Sequence, residues 1–150
     1  GLAISHGQRP EDGGYQYVVV PAIDLVDFQA YTAEQLTVLR NTGTVQAVWH
    51  KGLHMLQCIF WNPGGLRISD GLVLWVDQPC LLMLQYSSQS IRVTVANFRD
   101  RACPVKVQLN RPLDGEDVVW DAKTGVSTIT FRLPTGEYTG QSVTKHCDLR

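Results

Sequence analysis

An all-β chain, folded as an antiparallel β-sandwich with one short helical segment near residues 32–36, is what the sequence predicts. Two observations carry this reading. Apolar and polar residues alternate with period two, as where Ile91, Val93 and Val95 are interleaved with Arg92 and Thr94. That spacing sends successive side chains to opposite faces of a strand. Turn-forming clusters also recur roughly every ten residues, the rhythm of a sandwich or barrel.

The elements follow in order. Tyr15–Val20 is a β-branched and aromatic run stopped by Pro21, and residues 8–14 (QRPEDGG) are turn material. With residues 2–6 it predicts a hairpin with a long loop. Thr32-Ala33-Glu34-Gln35 has the form of a capping box, in which Thr32 caps and Gln35 reciprocates. The β-branched Thr37-Val38 limit that helix to a turn or two. Strands are then expected at Leu36–Arg40, Thr44–His50 and His54–Trp61, separated by turns at Asn41-Thr42-Gly43 and Lys51-Gly52. In the second of these, Val45, Ala47 and Trp49 oppose Thr44, Gln46 and Val48. Asn62-Pro63-Gly64-Gly65 reads as loop. Leu72–Val76 and Cys80–Tyr86 flank Asp77-Gln78-Pro79, and Pro79 belongs at a strand start or edge. Ser90–Phe98, Pro104–Leu109, Val118–Asp121, Ser127–Leu133 and Ser142–Lys145 complete the set. A boundary near residues 62–70 would divide the chain into 1–66 and 67–150.

Composition excludes several classes. The chain has 150 residues, of which 44% are hydrophobic and 18% charged, with a formal net charge of -1. This is a globular composition long enough to bury its own core. No basic excess marks a nucleic-acid surface; Arg92, Arg99 and Arg101 come nearest to a basic cluster. No apolar run approaches the length of a membrane span. Cys58, Cys80, Cys103 and Cys147 form no CxxC or CxxH pattern, so neither a zinc site nor any cofactor is expected. Their even number permits disulfides without requiring them. Cys58 and Cys80 lie in apolar runs, where a buried free thiol is the commoner state. The chain opens on apolar, strand-like residues, so it is expected to be a piece of something longer.

Several short stretches, in order, resemble polysaccharide lyase family 8. These are His6-Gly7-x-x-Pro10 with Gly14-Tyr15-Gln16-Tyr17-Val18-Val19-Val20-Pro21, then Phe28-x-x-Tyr31, then Val45-Gln46-Ala47-Val48. Ile59-Phe60-Trp61-Asn62-Pro63-Gly64 resembles the family's exit from its central β-sandwich. Leu74–Gln85 and Val93–Asn97 resemble the opening strands of its small C-terminal domain. The likeness covers about residues 5–98 and fades beyond them. It implies that residues 1–66 are the tail of the central sandwich and 67–150 the C-terminal domain. It also implies a parent enzyme that cleaves uronic-acid-containing polysaccharides by β-elimination, secreted or periplasmic. A Tyr acts in the family as acid and base, with Asn, His and Arg around the substrate carboxylate, on an N-terminal α/α toroid. No helix of that kind is present here, so no catalytic residue carries over to this chain. The implied partners are that toroid, the rest of the central sandwich and an acidic polysaccharide.

Individual residues offer further candidates. His6 could serve as a donor–acceptor in a binding loop or simply hold its turn. Trp120, between Asp117 and Asp121, reads as the best exposed aromatic for a sugar ring. Trp49 and Trp75 read as core. Tyr15 and Tyr17 share one face, over the core or at a domain seam. His50 and His54 straddle a turn and lack a third metal ligand. Ser69-Asp70 and Ser5-His6 lack the Gly-x-Ser-x-Gly elbow of a hydrolase. The expected function is a non-catalytic C-terminal region of a lyase that scaffolds and holds substrate. The alternatives are a free-standing carbohydrate-binding sandwich and a structural or adhesion-type β domain.

Overall fold

The computed structural model describes residues 7–8, 16–68, 71–100 and 103–150. The chain divides into two compact units, residues 1–33 and 34–150.

The first unit contains helix α1 (Leu25–Ala30), which the sequence reading missed. Asp24 caps it, its carboxylate accepting the Asp27 N–H at 2.8 Å. Residues 16–20 were expected to be a strand but belong to none. A run with strand composition becomes a strand only where a neighbouring edge takes up its backbone groups. The other arm of the expected hairpin, with His6, lies outside the described residues.

The second unit is a two-layer antiparallel sandwich. A 3-10 turn, Ala33–Gln35, precedes its first strand, where the short helical segment was expected. The expected reciprocal role of Gln35 is replaced by a distant one: its side-chain oxygen accepts the Gly52 N–H at 3.1 Å, and its carbonyl accepts the Lys51 N–H at 2.8 Å. Those bonds tie the turn before the first strand to the hairpin after the second.

Twelve strands follow among the described residues: β1 (Leu36–Asn41), β2 (Val45–His50), β3 (Met55–Phe60), β4 (Gly64–Arg67), β5 (Val73–Val76), β6 (Cys80–Tyr86), β7 (Ser90–Ala96), β8 (Val105–Leu109), β9 (Leu113–Asp114), β10 (Val118–Asp121), β11 (Val126–Phe131) and β12 (Val143–Leu149). One sheet has seven strands in the order β1-β2-β3-β6-β7-β12-β9. The other has five, in the order β10-β11-β8-β5-β4. The fold class read from the sequence is the one observed.

Register explains why the alternation is so strict. Ala47, Cys58, Leu82, Val95 and Val143 form one inward row across five strands of the larger sheet. Leu66, Leu74, Leu109, Ser127 and Trp120 form an inward row across the smaller one. A one-residue slip would turn each such row to solvent. Phe60, Phe131, Leu56, Leu74, Leu84, Ile91, Leu109 and Ile129 are among the fully buried side chains of this slab. Ser127, buried in it, donates to the Arg111 carbonyl at 2.7 Å and accepts the Leu113 N–H at 3.0 Å. Both polar functions of its hydroxyl are therefore met.

Two strands were not expected. Two-residue β9 is too short to leave a periodic signal. β4 begins on Gly64-Gly65, residues that ordinarily weaken a strand. Here Trp75 stands opposite Gly65, and a Cβ at Gly65 would come within 2.6 Å of its ring. The glycine admits the indole, and the indole covers the glycine.

Leu66, where the sequence reading set its boundary, lies within β4, and β3 pairs with β6 across that point over six residues.

A charge also faces inward. Lys145 occupies the core-side row of β12 beside Val93, with its side chain 10% exposed. Its ammonium group donates to Asp117 at 2.7 Å and lies 5.9 Å from the centre of the Phe131 ring. Asp117 reaches it from a left-handed conformation, φ 57°, and also meets Arg132 at 3.4 Å. The hydrogen bond from Lys145, followed by the charges of Lys145 and Arg132, holds the Asp117 carboxyl below the usual carboxylate range.

Two predictions follow from this packing. Phe131→Ala should cost about 3–5 kcal/mol in urea-induced unfolding; a cost near zero would mean that the slab does not close around that ring. Because the folded-state pKa of Asp117 is depressed, its contribution is present above the ordinary carboxylate range and lost as pH falls through the lowered value. Asp117→Asn, which tolerates the same backbone, should therefore melt a few degrees lower at neutral pH. It should also lose less stability than the parent on acidification. Equal acid sensitivity of the two proteins would count against the pair.

Candidate functional site

The sandwich has two outer faces, and the face of the five-stranded sheet gathers the best chemistry for recognition. Outward positions on neighbouring strands align there as Gly65, Trp75, Gln108, Thr128 and Val119. Trp75 is 50% exposed, with its ring laid against Gly65. Gln108 donates through Nε2 to the Thr128 hydroxyl at 3.3 Å, which orders the polar part of the row. Arg67 on β4 and Lys106 on β8 are both exposed and point to the same face, since each lies two residues from the Trp75 row. They are diagonal neighbours of Trp75 on opposite sides, roughly 7–8 Å away in a regular sheet.

The tryptophans are thus distributed differently from the sequence reading. Trp49 is core, 4% exposed and stacked on Tyr86 with ring centres 5.5 Å apart. Trp75 is not core. The β-branched and leucine neighbours of Trp75 suggested burial, yet its position in the alternation is outward: Leu74 and Val76 are buried on either side. That alternation was the available signal. Trp120 lies half-buried on the inward row beside Ser127, so it is not the most exposed aromatic. Trp61 is 39% exposed and packs on Phe98 at 5.2 Å. His6 lies outside the described residues, as do Tyr15 and the Ser69-Asp70 pair.

The histidines at the β2–β3 turn have separate tasks. His50 accepts the Leu53 N–H on Nδ1 at 3.2 Å, which closes the turn. His54, in a left-handed conformation, tilts against Tyr86 with ring centres 5.5 Å apart. Among the described residues, no group of three or more His, Cys, Asp or Glu is arranged to hold a metal ion. Of the arginines expected nearest to a basic cluster, two are described. Arg92 donates to Gln85 across the β6–β7 ladder, Arg99 lies over the Phe98 ring, and Arg101 is outside the described residues.

The cysteines are free thiols: Cys58, Cys80 and Cys147 are buried, and Cys103 is exposed. Burial, with a smaller effect of Cys80, pushes the Cys58 thiol far up. Burial, then the charge of Asp77, raises Cys80 to about 12. Burial also raises Cys147. A thiol held protonated in an apolar slab is a poor nucleophile.

The topology defines a class, an antiparallel two-sheet β-sandwich domain. Residues 37–97 match the family model of the polysaccharide lyase family 8 C-terminal beta-sandwich domain. The chain is 30% identical over 144 residues to the chondroitinase-AC of Pedobacter heparinus, covering 95% of this chain and 19% of that protein. It is 30% identical over 112 residues to the hyaluronate lyase of Thermasporomyces composti, covering 73% of this chain and 14% of that protein. A solved chondroitinase AC lyase shares the fold with a TM-score of 0.64 at 24% identity, over 81% of this chain and 17% of that one. A Paenibacillus xanthan lyase does so with a TM-score of 0.69 at 15% identity, over 87% of this chain and 13% of that one. The chain belongs to polysaccharide lyase family 8, as the family's C-terminal β-sandwich domain. It spans 14–19% of the length of the two curated relatives compared.

The burial of the thiols makes a direct prediction. A thiol-specific disulfide reagent at neutral pH should modify Cys103 promptly in the native chain, and the other three cysteines only after denaturant is added. Rapid reaction of all four in the native protein would contradict the burial of Cys58, Cys80 and Cys147.

Proposed function

We propose that this chain is a non-catalytic C-terminal region of a larger lyase that cleaves uronic-acid-containing polysaccharides by β-elimination. Its work is to complete and stabilise the enzyme's β-rich end and to help hold a long substrate. The observation that carries this reading is the family match across β1–β7, on a chain that spans a small part of its relatives. Those relatives are a chondroitinase and a hyaluronate lyase, so an acidic glycosaminoglycan is the substrate class. Chain cleavage of that kind needs a proton carrier with a tuned pKa and donors gathered around the developing charge. Among the described residues of the sandwich the tuned groups are buried thiols and surface carboxylates held by local hydrogen bonds, such as Asp100 with Gly136 and Thr139. These serve folding, which favours a supporting role. A substrate of this size also favours action outside the cytoplasm, so secretion or export to a periplasm belongs to the same reading.

The first unit adds support. Tyr17, Val18, Val19, Leu25, Val26 and Phe28 are all exposed. Apolar surface gathered over so short a stretch is of the kind that another domain covers. The seam expected around Tyr17 fits this placement.

The test is enzymatic. The 150-residue chain, incubated with chondroitin sulfate or hyaluronan, should give no rise in the ultraviolet absorbance of unsaturated product. The full-length enzyme should give a clear one. Product formation by this chain alone would refute the non-catalytic role, and an inactive full-length enzyme would refute the lyase assignment.

A further inference from the structure

We infer that the outer face of the five-stranded sheet, centred on Trp75, is a binding platform for a strand of acidic polysaccharide. This deepens the substrate-holding reading and rests on it. Three independent features point the same way.

The first is the presentation of the indole. Gly65 leaves no Cβ beneath it, and the ring takes that space, with Cε3 as the atom that a Cβ would strike. One aromatic face is thus seated on the sheet while half of the side chain remains in solvent. An aromatic face of this kind carries negative charge density and packs against the C–H-lined face of a pyranose ring. A tryptophan that served only the core would lie on the inward row, where Leu74 and Val76 already are.

The second is the polar row beside it. Gln108 and Thr128 extend outward from Trp75 on adjacent strands, already hydrogen-bonded to each other. Strands in a ladder lie about 4.8 Å apart. Amide and hydroxyl groups therefore recur at sugar-ring scale along a line leading away from the aromatic.

The third is charge. Arg67 and Lys106 flank Trp75 on opposite diagonals, and neither is ion-paired among the described residues. The nearby carboxylates of Asp77 and Asp121 form no ion pair with either cation among the described residues. Asp77 accepts the Lys106 N–H at 2.7 Å; Asp121, at the far edge, accepts the Lys123 N–H and the Thr124 hydroxyl, each at 2.9 Å. An aromatic seat between two free cations suits a polymer that alternates apolar ring faces with carboxylates or sulfates. It suits a neutral glucan less well, and an apolar protein surface poorly.

Affinity electrophoresis tests the inference. The 150-residue chain is run in native gels containing chondroitin sulfate, hyaluronan or dextran. Both acidic polymers should retard it, and dextran far less, with retardation falling as salt is raised. Trp75→Ala should weaken the interaction about tenfold, and Trp75→Tyr should retain most of it. The double variant Arg67→Ala, Lys106→Ala should lose binding to the acidic polymers together with its salt dependence. Trp120→Ala, altered on the inner face, should run as the parent does. Unchanged melting temperatures identify variants that have kept the fold. Undiminished retardation of folded Trp75→Ala would overturn the platform, as would loss confined to Trp120→Ala. Absence of retardation by any polymer would also overturn it. These results leave the lyase assignment untouched, because product release by the full-length enzyme decides that separately.

Discussion

Burial of one apolar slab between two sheets imposes the period on nearly everything else in this molecule. Each strand contributes side chains inward at every second position, and the two sheets meet over those rows with the spacing of face-packed sheets, about 10 Å. A fully buried aliphatic or aromatic side chain contributes about 1.5–3 kcal/mol by leaving water. No single residue dominates, but the rows must all be in register at once. That collective demand fixes the pairing of strands far apart in the chain, such as β9 with β12 and β5 with β8.

The same constraint separates the two kinds of polar group in the sandwich. Inward ones are tied off: Ser127 by two backbone partners, Lys145 by Asp117 and the Phe131 ring. Outward ones on the smaller sheet remain available around Trp75. A buried polar atom without a partner is costly, whereas an outward one keeps its hydrogen bonds with water until a ligand arrives. The fold therefore sorts structural from recognition chemistry by face, not by position along the chain.

This sorting bears on how a lyase could use such a domain. An enzyme acting on a long polymer gains when part of the chain is held near the cleft, because the second contact becomes intramolecular. A sheet face suits weak, repeated contact, since rows of side chains continue in register from strand to strand.

The amino-acid sequence by itself determined the fold class and most of the strands, because period-two alternation is local and survives without knowledge of partners. β6 and β10 coincide with the runs read from the sequence, and β2, β3, β5, β7, β8 and β11 differ by only a few end residues. It also carried enough of the family's order of motifs to point to polysaccharide lyase family 8. It did not show α1, whose Asp24 cap was overlooked among apolar neighbours, or β4, whose two glycines look like loop until Trp75 is seen opposite. It placed Trp75 in the core, whereas the structure exposes it: composition tells what surrounds a tryptophan in the chain, whereas register alone tells which face it takes. The placement of compact units, the inward lysine and the grouping of Trp75, Gln108, Thr128, Arg67 and Lys106 were decided by tertiary structure. Those residues come from strands distant in sequence, and only the hydrogen-bonded ladder brings them to one face.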